Sequence, residues 1–183
     1  AWGSEGAFRF TKLEPSTRDA VAFIRTLQNV IPERVGLISH SMGAVPLVKW
    51  MGSDFSLKAA VLLAPVSDLS SWASPNVIDS VIPHFLDSAK GKLEGMTLEQ
   101  LRSDLNVILQ TQNPLDVIQL IKAPLLVVVG SNDDITSPEL CRNLYERSNK
   151  PKKWHLIENA DHTFSEHRAQ MIKSVVEWLY VTL

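Results

Sequence analysis

Four short apolar segments, separated by helical patterns, constrain the fold of this chain more than any other feature of its sequence. The segments lie at residues 34–39, 58–64, 124–129 and 153–157. They are rich in aliphatic and β-branched residues and do not alternate cleanly with polar ones, which is typical of strands buried on both faces. Strands that alternate with helices form βαβ units. The sequence therefore predicts an α/β fold with a mostly parallel sheet and flanking helices.

The helical patterns have recognisable beginnings. Residues 16–19, Ser-Thr-Arg-Asp, have the spacing of a helix capping box, and apolar residues follow at helical intervals. This predicted apolar stripe consists of Ala20, Ile24, Leu27 and Ile31. Similar patterns begin near residue 136 and near residue 165. We expect each of them to form a helix beside the sheet.

The stretch from about residue 67 to residue 120 departs from this alternation. It contains no convincing strand, and its apolar residues fall into two amphipathic patterns, at residues 77–86 and 98–109. Long connections in compact domains usually serve a function. The sequence thus predicts one domain, residues 1–183, with a helical cap inserted at about 67–120. A plain surface excursion is the alternative interpretation.

Charge and cysteine content exclude several classes of function. The formal net charge is −2 and there is no long charge run, which argues against nucleic acid or an anionic membrane as the main partner. The longest apolar runs are far too short to span a bilayer. The single cysteine, Cys141, cannot form an internal disulfide and has no second thiolate to share a metal with. We expect a protein of a reducing compartment, the cytoplasm, with no membrane span.

The first apolar segment runs directly into a helical pattern through the sequence "GLISHSMGAVP". A buried parallel strand followed at once by a helix makes a sharp turn, and its apical residue, here Ser41, projects above the sheet. Small residues two positions before and after it, Ser39 and Gly43, keep the strand and the helix apart. The pattern indicates a nucleophile elbow, although glycine is usual where Ser39 stands. The alternative is that Ser41 caps the following helix.

A serine nucleophile needs a histidine base and a carboxylate that holds this base. Asp133 and Asp134 follow the third segment, and His162 follows the fourth. Sites of open α/β sheets lie at the carboxyl ends of their strands, so we expect Ser41, one aspartate and His162 to meet there. Their order along the chain is the one found with nucleophile elbows. Taken singly, each aspartate is equally explained as a turn or capping residue, and His162 as a surface-loop residue.

These features together resemble the α/β-hydrolase superfamily, and within it the single-domain serine esterases and acyl peptidases that include the bacterial cinnamoyl esterases. The matching stretches are "VGLISHSMGA", "AAVLLAPVSD", "IKAPLLVVVGSNDDITSP" and "WHLIENADHTFSEH", and the opening "WGSEGAF" is also similar. The resemblance covers nearly the whole chain. It implies that Ser41 is the nucleophile and His162 the general base. It places the acid three residues after Gly130, at Asp133 rather than at Asp134.

The resemblance implies a serine hydrolase that cleaves a small-molecule carboxylic ester through an acyl-enzyme, with no metal and no organic cofactor. The backbone N–H of Met42 is the expected oxyanion donor. Val66, Trp72 and Phe85 are expected to line the substrate pocket, unless they only pack the insertion onto the sheet. An acyl aminopeptidase, a thioesterase and an acyltransferase use the same triad. A non-catalytic binding protein or an inactive fragment is the alternative of another class.

Relative to the family, the chain has no counterpart of the first four strands and the first helix, so the resemblance implies an N-terminally truncated fold. The family's second oxyanion donor comes from that part. In such a fold the strand at residues 34–39 is an exposed sheet edge, which is prone to pair with another chain. We therefore expect homo-oligomers that form through this edge.

Overall fold

The structure, a computed structural model, describes residues 6–54, 56–70, 75–111 and 113–183. Within these ranges lies a sheet of four parallel strands in the order β1-β2-β3-β4. The strands are β1 (Gly36–His40), β2 (Ala59–Leu63), β3 (Leu125–Gly130) and β4 (Lys152–Ile157). The predicted parallel sheet is therefore confirmed, with strand boundaries within two residues of the expected ones.

Helices flank the strands on both faces. In the described ranges they are α1 (Leu13–Arg25), α2 (Ala44–Ser53), α3 (Pro75–Ala89), α4 (Leu98–Thr111), α5 (Pro114–Val117), α6 (Pro138–Arg147) and α7 (Arg168–Thr182). Helices α2 and α6 cover one face of the sheet, α1 packs against α2, and α7 covers the other face. None of the helices that the structure describes is long and apolar enough to cross a membrane.

The core lies on both sides of the two central strands, β2 and β3, in which every residue is buried. Leu62 and Val127 belong to the apolar cluster on the α2 side, whereas Val61 and Leu126 belong to the cluster on the α7 side. Successive side chains of a strand point to opposite faces. Burial of both faces thus explains why these segments show no alternation with polar residues.

The start and the buried face of α1 differ from the prediction. The helix begins at Leu13 rather than at the expected capping box, and it includes Pro15, which the first turn of a helix tolerates. Thr17 lies inside the helix, where its hydroxyl donates to the carbonyl of Leu13. Val21 is the buried residue of this helix. The predicted stripe is exposed: Ala20 and Ile24 are exposed on α1, whereas Leu27 and Ile31 are exposed beyond its end at Arg25.

The connection between β2 and β3 is helical where the structure describes it. Helices α3 and α4 pack on each other, and Arg102 of α4 forms an ion pair with Asp79 of α3. Apolar side chains of both helices form a third cluster with Val45 of α2 and with Val66, which follows β2. The two helices therefore lie beside the carboxyl end of β2 and the beginning of α2.

A partly buried ion pair joins the N-terminal segment to α4. The Asp104 side chain is 1% exposed, and its carboxylate accepts hydrogen bonds from Arg9 Nε at 3.0 Å and from the backbone N–H and hydroxyl of Thr11. Burial alone would raise the pKa of Asp104, but the hydrogen bonds from Arg9 and from the backbone outweigh it and hold the pKa below its usual value. Phe10 is buried in the same cluster as Leu101 of α4. These contacts anchor the segment before α1 to the helical connection.

Strand β1 lies at one edge of the described sheet and β4 at the other. Ile38, in the middle of β1, is 52% exposed. The edge position expected for the first strand is thus observed within the described residues. The two edges differ in charge, since β4 carries Lys152 and Lys153 whereas β1 has no lysine, arginine or carboxylate.

Candidate active site

Ser41 stands at a strained turn between β1 and α2. Strand β1 ends at His40, and a 3₁₀ turn over Ser41–Gly43 leads into the helix. The backbone φ of Ser41 is 53°, in the left-handed region that residues other than glycine rarely adopt. A Cβ at Gly43 would lie 3.5 Å from that of Ser39, so the two small residues face each other across the turn. Neither this turn nor α2 has a side-chain cap, and the interpretation of Ser41 as a capping residue is wrong.

Three side chains from separate strand ends form a continuous hydrogen-bonded chain. Nε2 of His162 lies 3.0 Å from Oγ of Ser41. Nδ1 of the same ring lies 2.9 Å from Oδ2 and 3.1 Å from Oδ1 of Asp133. His162 is 8% exposed and Asp133 is 5% exposed, so water competes little for these hydrogen bonds. The structure brings together the three residues that the sequence singled out.

The hydrogen bonds assign the protons of the His162 ring. A carboxylate only accepts hydrogen bonds, so Nδ1, which faces Asp133, carries the proton of the neutral ring. Nε2 is then free to accept the hydroxyl proton of Ser41. This is the arrangement that a general base requires before it takes a proton from a nucleophile.

Asp133 is held by the loop that follows β3. Its Oδ1 accepts the backbone N–H groups of Ile135 at 2.9 Å and Thr136 at 2.8 Å. Its Oδ2 accepts the hydroxyl of Thr136 at 2.7 Å. Asp134 is exposed and takes no part in the chain from Asp133 to Ser41. The choice of Asp133 over its neighbour therefore agrees with the geometry.

The loops that carry Asp133 and His162 are tied together where β3 ends. The backbone N–H of Asn132 donates to the carbonyl of Ala160 at 3.0 Å. A Cβ at Gly130 would lie 2.3 Å from that same carbonyl oxygen, a distance at which the atoms would collide. Glycine at this position thus allows the histidine loop to pass close to the acid loop. Asp161 shapes the histidine loop by accepting the backbone N–H groups that follow it, from Thr163 and Ser165.

His40, next to Ser41, also contacts the histidine loop. Its Nε2 lies 2.9 Å from the backbone carbonyl oxygen of His162. Because a carbonyl only accepts, His40 is the donor. The two imidazole rings lie 4.8 Å apart between centroids. The side chain that precedes Ser41 along the chain therefore holds the backbone of His162.

The structure describes most of the residues expected to form the oxyanion hole and the substrate pocket. Met42 is the second residue of the 3₁₀ turn, and the first N–H groups of a helical turn have no acceptor within it. Val66 is 6% exposed, and its backbone N–H already donates to the carbonyl of Ser41 at 3.1 Å. Phe85 and Met42 are partly buried and pack against the third apolar cluster. The ring centroid of Phe85 lies 5.1 Å from that of Phe10. Trp72 lies outside the described residues.

Cys141 lies behind the acid loop and plays no visible part in this chain of hydrogen bonds. It is fully buried, and its Sγ lies 3.3 Å from the backbone carbonyl of Pro65. Burial, and to a lesser degree the negative charge of Asp133, raises its pKa to about 12. The thiol is therefore protonated at neutral pH and is not a nucleophile. In the ranges that the structure describes, histidine, cysteine and carboxylate side chains form no cluster suited to a metal ion.

Known structures with a similar fold are numerous, although no family model and no curated protein matches the sequence. A monoacylglycerol lipase from Paleococcus ferrophilus is 18% identical, with a TM-score of 0.72 over 99% of this chain and 79% of that one. The α/β hydrolase GrgF from Penicillium sp. sh18 is 15% identical, with a TM-score of 0.73 over 98% of this chain and 74% of that one. Est1E from Butyrivibrio proteoclasticus is 18% identical, with a TM-score of 0.69, over 96% of this chain and 71% of that one.

These likenesses establish the fold. The chain has the α/β-hydrolase fold, as the resemblance of its motifs implies. It spans between 71% and 79% of the lengths of these three proteins. At identities this low, fold does not determine the reaction, so function rests on the geometry of the site.

Proposed function

We propose that this chain is a serine hydrolase that cleaves small carboxylic esters through an acyl-enzyme intermediate. The observation that carries the proposal is the hydrogen-bonded chain from Asp133 through His162 to Ser41, with links of 2.9 Å and 3.0 Å. A serine hydroxyl bonded to a surface histidine is common. A buried histidine whose other nitrogen faces a buried carboxylate is the arrangement that activates a serine nucleophile.

The first half of the reaction forms the acyl-enzyme. Oγ of Ser41 attacks the carbonyl carbon of the ester as Nε2 of His162 takes the hydroxyl proton. Asp133 stabilises the imidazolium that results. The tetrahedral intermediate then collapses, the bond to the alcohol oxygen breaks, and His162 returns the proton to the departing alcohol. Ser41 is left carrying the acyl group as an ester.

The second half regenerates the enzyme. Water attacks the acyl carbon while Nε2 of His162 takes one of its protons. Collapse of the second tetrahedral intermediate breaks the bond between the acyl carbon and Oγ of Ser41, and the proton on His162 returns to the serine oxygen. The carboxylic acid is released, and every proton transfer passes through Nε2 of His162.

The turn that strains Ser41 also supports the oxyanion. Met42 is the second residue of the 3₁₀ turn, and the first N–H groups of a helical turn have no acceptor within it. A single donor of this kind contributes about a hundredfold to a thousandfold in rate. We assign the first oxyanion donor to Met42, as the sequence predicts.

Apolar side chains beside the turn favour an apolar acyl or aromatic group in the substrate. Phe85 of α3 contacts Phe10, and Phe8 lies 5.2 Å from Phe10, ring to ring. Met42 lies against the same cluster. In this proposal α3 and α4 are the cap of a single domain, and Phe85 lines the pocket beneath it. The names of the similar structures, a lipase and esterases among them, agree with an ester substrate.

A panel of acyl substrates tests the choice of ester over amide. We expect kcat/KM to be higher on p-nitrophenyl esters of short apolar acids than on aminoacyl anilides, because the pocket residues are apolar and no carboxylate is assigned to bind an α-ammonium group. Activity of the Ser41→Ala variant is subtracted as the background. A higher kcat/KM on the anilides would make the protein an aminopeptidase, and a preference for thioesters would make it a thioesterase.

We further propose that β1 pairs with the β1 strand of a second copy of this chain. Native proteins protect exposed sheet edges with charges, especially lysine. Here β4 carries two lysines, Lys152 and Lys153. Strand β1 carries no lysine, and its Ile38 side chain is 52% exposed. Two β1 strands related by a two-fold axis would pair antiparallel and extend the sheet across the dimer.

A charge placed on the β1 edge is expected to prevent this pairing. We expect the wild type to be a dimer at micromolar concentration by light scattering and Ile38→Lys to be a monomer. In the paired strands the introduced lysine of one copy would be buried close to the same lysine of the other copy, and the two positive charges would repel each other. Leu98→Lys is the matched control, since Leu98 is 45% exposed at the start of α4. A monomeric wild type, or loss of the dimer in Leu98→Lys as well, would contradict the proposal.

A further inference from the structure

Thr136 makes the densest set of polar contacts beside the proposed catalytic residues. Its hydroxyl oxygen lies 2.7 Å from Oδ2 of Asp133, 3.3 Å from Nδ1 of His162 and 3.1 Å from the backbone carbonyl of Ala64. Thr136 is 7% exposed. It therefore lies inside the protein, behind the acid and away from any substrate.

The single hydroxyl proton of Thr136 has two acceptors within reach. Oδ2 of Asp133 is charged and lies 2.7 Å away, whereas the carbonyl oxygen of Ala64 is neutral and lies 3.1 Å away. Hydrogen bonds to a charged acceptor are shorter and about twice as strong as those to a neutral one. The proton is therefore directed to Asp133. Nδ1 of His162 is also a donor. It lies 2.9 Å from Oδ2 of Asp133 but 3.3 Å from the hydroxyl oxygen of Thr136, so its proton is directed to Oδ2.

The carboxylate of Asp133 is held differently at its two oxygens. Oδ1 accepts two backbone N–H groups, from Ile135 and Thr136, which hold it to the loop. Oδ2 accepts the ring N–H of His162 and the hydroxyl of Thr136. A carboxylate has about four lone-pair sites, and these four donors use all of them. Without the hydroxyl, Oδ2 would be held only by His162, the residue that it has to orient.

We propose that Thr136 is a positioning residue that holds Oδ2 of Asp133 in place for Nδ1 of His162. The inference rests on the proposed function, in which Asp133 orients the base. Thr136 does not touch the substrate, so it acts on the orientation of the base and leaves substrate binding unchanged.

Thr136→Val and Thr136→Ser form the matched pair that tests this role. Valine keeps the shape of threonine but removes the hydroxyl, whereas serine keeps the hydroxyl. Loss of a hydrogen bond to a charged group corresponds to about a tenfold to hundredfold effect. We expect kcat of Thr136→Val to fall by that factor with KM unchanged, and Thr136→Ser to keep a kcat close to that of the wild type.

A second measurement separates positioning from a general loss of structure and does not depend on activity. In a Ser41→Ala background, the Nδ1 proton of His162 is followed by NMR. We expect a resolved downfield signal with Thr136 or Thr136→Ser, and a broadened signal that exchanges faster with water in Thr136→Val. The melting temperature is recorded for each variant. An equal fall in kcat for both variants, or an unchanged NMR signal in Thr136→Val, would overturn the inference.

Failure of the proposed function would look different. If the wild type shows no Ser41-dependent hydrolysis, the reaction is wrong, but the NMR comparison still measures whether Thr136 orders Asp133 and His162. If hydrolysis depends on Ser41 and Thr136→Val turns over at the wild-type rate, the inference alone fails.

Discussion

Replacement of Ser41 by alanine is expected to lower kcat for ester hydrolysis by roughly a millionfold, because the other members of a triad cannot act without the nucleophile. Labelling by a fluorophosphonate probe, which bonds covalently to an activated serine, is expected to disappear completely. Mass spectrometry of the labelled wild type should locate the adduct on the peptide that contains Ser41. The hydroxyl of Ser41 is hydrogen-bonded to Nε2 of His162 at 3.0 Å. In the proposed mechanism this hydrogen bond makes the hydroxyl reactive.

Ser39→Ala is the matched control for Ser41→Ala. Ser39 lies two residues earlier on β1, is 9% exposed, and its hydroxyl makes no hydrogen bond to another described residue. Its replacement by alanine keeps a small residue opposite Gly43, so the turn is preserved. We expect Ser39→Ala to be labelled and to hydrolyse esters as the wild type does. Equal labelling of wild type and Ser41→Ala would exclude Ser41 as the nucleophile.

Asp133→Asn is expected to lower kcat by about ten thousandfold, which is the effect of the same substitution in the triad of a serine protease. The asparagine amide can donate a hydrogen bond toward Nδ1 of His162. The ring would then carry its proton on Nε2, where it can no longer accept the proton of Ser41. KM should change much less, because Asp133 is buried behind the histidine.

Asp134→Asn controls for the change of charge and is expected to keep wild-type kcat and KM. Asp134 is exposed and lies next to Asp133 in the same loop, so both variants lose one negative charge at almost the same place. A melting curve for Asp133→Asn verifies folding, since the amide oxygen still accepts the N–H groups of Ile135 and Thr136. A large loss of activity in Asp134→Asn, with Asp133→Asn active, would reverse the assignment.

Helical periodicity predicts α1 but not the side that packs. The sequence places apolar residues at helical spacing from Ala20 to Ile31, and this spacing alone predicts that they face the core. In the structure Val21 packs inward, Ala20 and Ile24 are exposed on the helix, and Leu27 and Ile31 lie beyond its end at Arg25. A single helix can carry apolar residues on two faces. Which face is covered depends on the neighbours that the helix meets, here α2.

The site residues that sequence reasoning misses are those whose role depends on direction. His40 stands beside the nucleophile in the sequence, but a side chain at a strand end can point either way. Thr136 stands where the sequence predicts the beginning of a helix, and α6, starting at Pro138, confirms that helix. Its hydroxyl turns inward to Asp133 instead of capping the helix. A buried threonine three residues after an acid is a weak signal in a single sequence.

The sequence by itself determined the parallel sheet, the position of the elbow and the order along the chain of a serine, an aspartate and a histidine at three strand ends. These features follow from local patterns: buried strands lack polar alternation, sharp turns require small residues, and parallel strands end at one edge. The tertiary structure alone decided distances and directions. His40 and Ser41 reach His162 across 122 and 121 residues of sequence, and only the packing of the intervening strands and helices brings such distant groups within hydrogen-bonding range.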